Sequence, residues 1–274
     1  MQPLGQLSAS PLGDEHRTLD AALARVAPPA FAWELDALDP ALLSRLRTHW
    51  RIRLEVEHRS TFVFSQLAQQ LAEAGAWLDE QSVMLRMALD ELRHTGTCAA
   101  VLQALGAPLP PPAAEPPPLA RHPGASAEER ALRNVLYTTC LSETVACARF
   151  VATLDHTTDP MMRAALRTLL ADEVLHGRFG YAYLASRREL LAASPALRAS
   201  IERFLVHAFA VLEGELAPKP PWRPASPLEH AFGLEDPALA HEVFYRTVEH
   251  AILPGLEQQG LDAGRAWRER RHLV

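Results

Sequence analysis

Three cysteines in 274 residues, with no Cys-x-x-Cys pair among them, leave no basis for a disulfide framework or a zinc ribbon. No run of 18 uncharged apolar residues occurs, so no transmembrane helix and no membrane partner are expected. Residues 1–14 lack a basic region followed by an apolar stretch. No secretory signal is expected there, and a reducing cytoplasm is the expected compartment. The formal charge of −6 comes without a basic stripe, which argues against nucleic acid as a partner. Strand-like alternation of Val, Ile and Thr is absent. So is any glycine-rich flavin or nicotinamide fingerprint, so electrons for a redox reaction would come from a separate donor.

What remains is helix-forming sequence. Ala, Leu, Arg and Glu dominate, as helix propensity favours, and 48% hydrophobic residues suffice for a large core. An all-α fold follows, and its punctuation is readable. Residues 1–15 form a loose lead and 16–27 a short helix. Asp39-Pro40 caps a first long helix reaching about Gly75. A second runs from about Asp79 to Leu105 and stops at Gly106. Ser126 to Glu129 has the form of a capping box opening a third helix to about Leu154. Asp159-Pro160 opens a fourth, reaching about Leu191. Ser194-Pro195 starts a fifth, ending near Gly214, and a last helix is expected near 237–250. The expected organisation is a lead over 1–38, a helical bundle over 39–193, and a C-terminal helical extension over 194–274 packed on the bundle.

Eight prolines lie between Ala107 and Gly124. Extended polyproline covers about 3.1 Å per residue, so the roughly twenty residues joining the second and third helices can span roughly 60 Å. That exceeds a helix length and permits a long crossover inside one four-helix bundle.

The chemistry sits in a repeated pattern. Asp90-Glu91-Leu92-Arg93-His94 and Asp172-Glu173-Val174-Leu175-His176 are two copies of Asp-Glu-x-x-His. Residues three apart share a helix face, so each copy aims one carboxylate and one imidazole at a common point. A lone glutamate precedes each copy: Glu57, 34 residues before Glu91, and Glu143, 30 residues before Glu173. Four Glu and two His on four helices make the ligand set of a carboxylate-bridged dinuclear iron or manganese site within a bundle. Around each ligand the same helix face is apolar. Leu46, Trp50, Phe64 and Leu67 flank Glu57, and Met84, Met87, Cys98 and Val101 flank Glu91 and His94. Leu136, Cys140, Cys147 and Phe150 flank Glu143, and Leu166, Leu169, Gly180 and Tyr183 flank Glu173 and His176. Such stripes face a core, where carboxylates must be paired or bound to metal. Glu55-Val56-Glu57-His58 contains a third Glu-x-x-His, but its own stripe is polar, so Glu55 and His58 are assigned to the surface. Cys98, Cys140 and Cys147 all lie on site-facing stripes, and with Gly180 leaving room they are candidates to line a substrate cavity. Arg53, one turn before Glu57, is a candidate partner for Glu57 or for a substrate carboxylate.

Over roughly residues 40–190 the chain resembles the ferritin-like di-iron carboxylate proteins, and most of all their stand-alone oxygenases and oxidases. The resemblance implies metal ligation by Glu57, Glu91, His94, Glu143, Glu173 and His176. It also implies support of the histidines by Asp90 and Asp172 from the facing helices. The implied cofactor is two iron ions, with Mn/Fe or Mn/Mn as alternatives. The implied function is O2-dependent oxidation of a small organic substrate. Two other functions fit the same residues: iron handling as a ferroxidase, and a non-catalytic helical interaction protein. Leu169 stands where an N-oxygenating branch carries a further histidine, and no rubredoxin-type cysteine pairs follow the bundle. Phe204, Phe209, Trp222, Phe232, Phe244 and Tyr245 suit the C-terminal extension either to cover the bundle or to form a homodimer interface.

Overall fold

A computed structural model describes residues 31–111 and 118–272. The lead over 1–15 and the helix expected over 16–27 lie outside the described residues. Among these residues the structure is helical without strands. Its principal elements are α1 (Pro40–Glu73), α2 (Leu78–Ala104), α3 (Ala127–Val135), a π-helical segment (Leu136–Glu143), α4 (Thr144–His156) and α5 (Pro160–Ser186). Then follow α6 (Arg188–Ala193), α7 (Pro195–Leu216), α8 (Pro227–Ala231), α9 (Pro237–Thr247), a second π segment (Val248–Ile252), α10 (Leu253–Glu257) and α11 (Ala263–Glu269).

The caps read from sequence are present. Asp39 accepts from the Leu42 amide, and Asp159 accepts from the Met161 and Met162 amides. Each stands before a proline that has no amide to satisfy. Ser126 accepts from the Glu129 amide, but only half the capping box forms. The Glu129 carboxylate instead takes Arg133 and the Ser200 hydroxyl. The expected fourth helix breaks at Arg187, whose guanidinium turns back to pair with Glu80 and to lie 4.1 Å from the Tyr183 ring centre. The expected last helix leaves α geometry after Thr247. Pro254, which cannot donate to the preceding turn, follows directly, and α11 was not foreseen.

Two apolar clusters sit at opposite ends of the long helices. One holds Phe64, Leu67, Leu71, Met84, Leu132, Leu136 and Tyr183; the other holds Leu46, Trp50, Leu54, Val101, Phe150, Met162 and Leu166. Chain direction follows from which cluster each helix meets first. α1 and α5 run one way, while α2 and the α3–α4 arm run the other. α1 packs along α2, α2 on α5, α5 on the π segment and α4, and α3 on α1, which closes a ring of four arms. Because α2 and α3–α4 are parallel, the connection must cross the bundle. Ala107 and Leu109 pack on one cluster and Leu119 on the other. Leu119 donates to Gln66 on α1, and the Ala120 carbonyl accepts from Asn134.

The aromatic residues of the extension are used inside this chain. Phe209 and Phe244 are fully buried, and Phe209 meets Trp267 edge-on at 5.3 Å. Arg270, itself 2% exposed, pairs with Glu213 and ties the last helical turn to α7.

Candidate metal centre

Between the apolar ends lies a polar middle. Glu57, Glu91, His94, Glu173 and His176 are each at most 5% exposed, and Glu143 is half-buried beside them. Their donor atoms form two sets, each lying within 4.8 Å: Glu57, Glu91, His94 and Glu173, and Glu91, Glu143, Glu173 and His176. Glu91 and Glu173 belong to both. Each set could hold a metal ion, and the two sets share two carboxylates.

The imidazoles are oriented alike. Nδ1 of His94 lies 3.3 Å from Glu173, 3.5 Å from Glu57 and 3.8 Å from Glu91. Nδ1 of His176 lies 3.1 Å from Glu91 and 3.2 Å from Glu173. The opposite nitrogens face aspartates from the other motif: His94 Nε2 is 3.2 Å from Asp172, and His176 Nε2 is 3.6 Å from Asp90. The crossing is a consequence of packing α2 on α5, which sets each Asp beside the facing helix's imidazole. At His94 the Asp172 carboxylate is within hydrogen-bond distance of Nε2 and favours the tautomer whose Nδ1 faces inward. His176 Nε2 makes no hydrogen bond to Asp90, and its Nδ1 is bonded to Glu173 instead. Sequence reading missed the link between these aspartates. Arg93 reaches Asp90 and Asp172 at 2.5 and 3.0 Å, and Arg86 adds a bond to Asp90 at 2.8 Å. The available signal was the position of Arg93 inside the first motif.

Electrostatics show what the site lacks on its own. Burial, reinforced by Glu91 and Glu173, lifts the Glu57 carboxyl to about 7 against the pull of the nearby His94 imidazole. Burial and the Glu173 charge push Glu143 well above the carboxylate range. Burial opposes a charged His176, yet Asp90, Glu173 and Glu91 lift it to about 12. His94 is likewise raised against burial by Asp172, Glu173, Glu57 and Glu91. Without cations, Glu57 and Glu143 and both imidazoles favour their protonated forms, while Glu173 is held below the carboxylate range, against burial, by His176, His94 and Glu143. His94 Nδ1 nevertheless has no hydrogen-bond partner although it is out of solvent contact. A buried imidazole nitrogen that faces three carboxylates, and offers a lone pair once its proton leaves, fits a metal ion. Imidazole and carboxylate donors suit iron and manganese.

Local backbone geometry places Glu143. It ends the π segment, a wide turn often found at functional sites. The Thr138 and Thr139 hydroxyls donate to the carbonyls of Asn134 and Val135, which loosens regular α bonding there. Gly180 on α5 admits this wide segment. A Cβ there would stand 2.2 Å from Thr139 Oγ1, 2.7 Å from Cys140 Sγ and 2.9 Å from the Cys140 amide nitrogen. Gly180 therefore does not open space for a substrate; the π segment fills that space. Cys98 and Cys140 are fully buried in the two apolar clusters, and Cys147 is half-buried. Burial raises both Cys140 and Cys147 to about 12, so they are thiols rather than thiolates. Glu55 is exposed as expected. His58 is not: it is 9% exposed, packs edge-on against Phe62 at 5.0 Å, and is lowered by burial. Arg53 lies 3.8 Å from Glu57. His207, His241 and His250 belong to neither donor set.

No protein-family model matches the chain, and no curated protein matches it in sequence. Among the described residues, no helix is long and apolar enough to cross a membrane.

Proposed function

We propose that this chain is a ferritin-like four-helix-bundle protein that holds two iron ions and uses O2 to oxidise a small organic substrate. The observation that carries the reading is the pair of four-donor sets sharing Glu91 and Glu173, enclosed by apolar clusters at both ends. Glu57 and His94 would hold one ion, Glu143 and His176 the other, with Glu91 and Glu173 between them. Two ferrous ions supply electrons for O2 reduction when bound.

The chain's own residues do the rest. Asp90 and Asp172 orient the imidazoles, Arg93 holds the aspartates, and the apolar clusters keep bulk water from the ends of the site. Electrons would return through an external donor.

The test is metal content per chain by element-specific mass spectrometry after anaerobic loading with Fe(II) or Mn(II) and desalting. About two ions, lost in Glu143→Ala and His176→Ala, support the reading. A protein that folds yet retains no metal refutes it and leaves a helical interaction protein. Sustained Fe(II) oxidation with release of ferric mineral would point instead to ferroxidase activity. Oxygen uptake that stops after the bound ions are oxidised, and resumes with an organic substrate and reductant, supports the oxygenase.

A further inference from the structure

On the two turns of α1 before Glu57, three polar atoms have no hydrogen-bond partner. They are Nε2 of His49, Nε1 of Trp50 and Nε of Arg53, all out of solvent contact. Trp50 as a whole is 1% exposed, so its indole N–H is enclosed. The Arg53 guanidinium is held by ring faces, 4.4 Å from the centre of Phe150 and 5.8 Å from that of Trp50. Its ion-pair neighbour among the described residues is Glu57 at 3.8 Å, too long for a hydrogen bond. Glu57 also belongs to the first donor set, so a metal ion would draw on the same charge. The other cation nearby, Arg149, is engaged by Glu235 through two of its nitrogens. His49 is kept neutral, down to about 3, by burial and then by the charges of Arg53 and Arg149. The result is a partly buried cation without a carboxylate of its own, accompanied by an unused indole donor and an unused imidazole nitrogen. Buried polar groups left this way are costly unless something else meets them.

We propose that Arg53, Trp50 and His49 form an anion subsite that holds the carboxylate of a small organic ligand beside the metal centre. A guanidinium fork matches a carboxylate in shape and charge. Phe150 and Trp50 hold the guanidinium in place through their ring faces, so the fork is fixed before a ligand arrives. One helical turn, about 5.4 Å, separates Arg53 from Glu57 along α1. A ligand anchored at Arg53 therefore needs a body of only that length to reach the carboxylate cluster. Benzoate and hexanoate have that size. The Arg53 side chain is 21% exposed, so part of it meets solvent although its Nε does not. As an account of substrate choice this rests on the di-iron reading above; as an account of binding it does not.

The experiment is calorimetric titration of the Mn(II)-loaded full chain with benzoate, hexanoate, inorganic phosphate and the neutral analogue benzamide. Metal content is measured on the same samples, and circular dichroism checks that each variant is folded. The expected result is saturable binding of a carboxylate and none of benzamide. Arg53→Met should weaken it by roughly ten- to hundred-fold, the range for a hydrogen bond to a charged group. Arg53→Lys, which keeps the charge and loses the fork, should fall between. Trp50→Phe, which keeps the packing and loses the N–H, should weaken it by about three-fold. Phosphate binding in place of carboxylate would overturn the assignment of ligand class. Equal affinity in Arg53→Met, equal binding of benzamide, or no saturable binding of either carboxylate would overturn the subsite. Samples without metal would sink the di-iron function, while the same titrations still decide whether Arg53 binds an anion.

Discussion

Gly180→Ala separates the effect of helix propensity from the effect of the π segment. On propensity alone, alanine in a helix interior is better than glycine by about 1 kcal/mol. At Gly180 the new methyl would meet Thr139 Oγ1 at 2.2 Å, Cys140 Sγ at 2.7 Å and the Cys140 nitrogen at 2.9 Å. The threonine hydroxyl could rotate only by giving up its bond to the Val135 carbonyl. The backbone nitrogen cannot yield unless the π segment moves. Overpacking of this kind costs about 1–3 kcal/mol, so the propensity gain is cancelled or reversed. Gly96 is the control, since it is exposed within α2 and nothing lies within 4 Å of its added Cβ. Gly96→Ala should stabilise by about 0.5–1 kcal/mol. Urea unfolding of the metal-free proteins should therefore place Gly180→Ala about 1–3 kcal/mol below Gly96→Ala. Displacing the π segment also moves Glu143, so Gly180→Ala should lose metal from the set containing Glu143 while the set containing Glu57 persists. If Gly180→Ala matched Gly96→Ala in stability and kept full metal content, the π segment would not be what positions Glu143.

Arg93→Leu removes the contacts to Asp90 and Asp172, so chelator competition should show about ten-fold weaker metal retention. Its effect on stability should stay within about 1 kcal/mol because the pair is partly solvated; unchanged retention would rule out a role in orienting the histidines. Metal binding needs Glu57, raised to about 7, and His176, raised to about 12, in their deprotonated forms. Loading should therefore release protons, and affinity should rise with pH between about 6 and 8. Proton uptake on loading, read in weakly buffered solution, would contradict that sign. Phe209→Ala should cost about 3–5 kcal/mol in urea unfolding, because the fully buried ring joins α7 to Trp267. A loss under 1 kcal/mol would show that the extension is not part of the same core.

The sequence by itself determined the all-helical class, the proline and aspartate caps, and which glutamates and histidines share a helix face. Those depend on neighbours within one turn, where spacing and propensity act directly. It also determined that each polar middle has apolar ends, because a periodic stripe reports burial whatever helix it meets. Tertiary structure decided the rest. The parallel run of α2 and α3–α4 depends on which apolar end each helix meets, a relation between distant segments. The crossing of Asp172 to His94 and Asp90 to His176, and the bridging of both aspartates by Arg93, exist only once α2 packs on α5. The π segment needed a glycine on another helix to make room for it, so nothing in residues 136–143 alone announced it. His58 was misplaced because its stripe is polar in sequence while Phe62 and the local packing cover it. The unmet polar atoms of His49, Trp50 and Arg53 are likewise a property of packing, since a residue's type shows what it can bond but not whether a partner arrives.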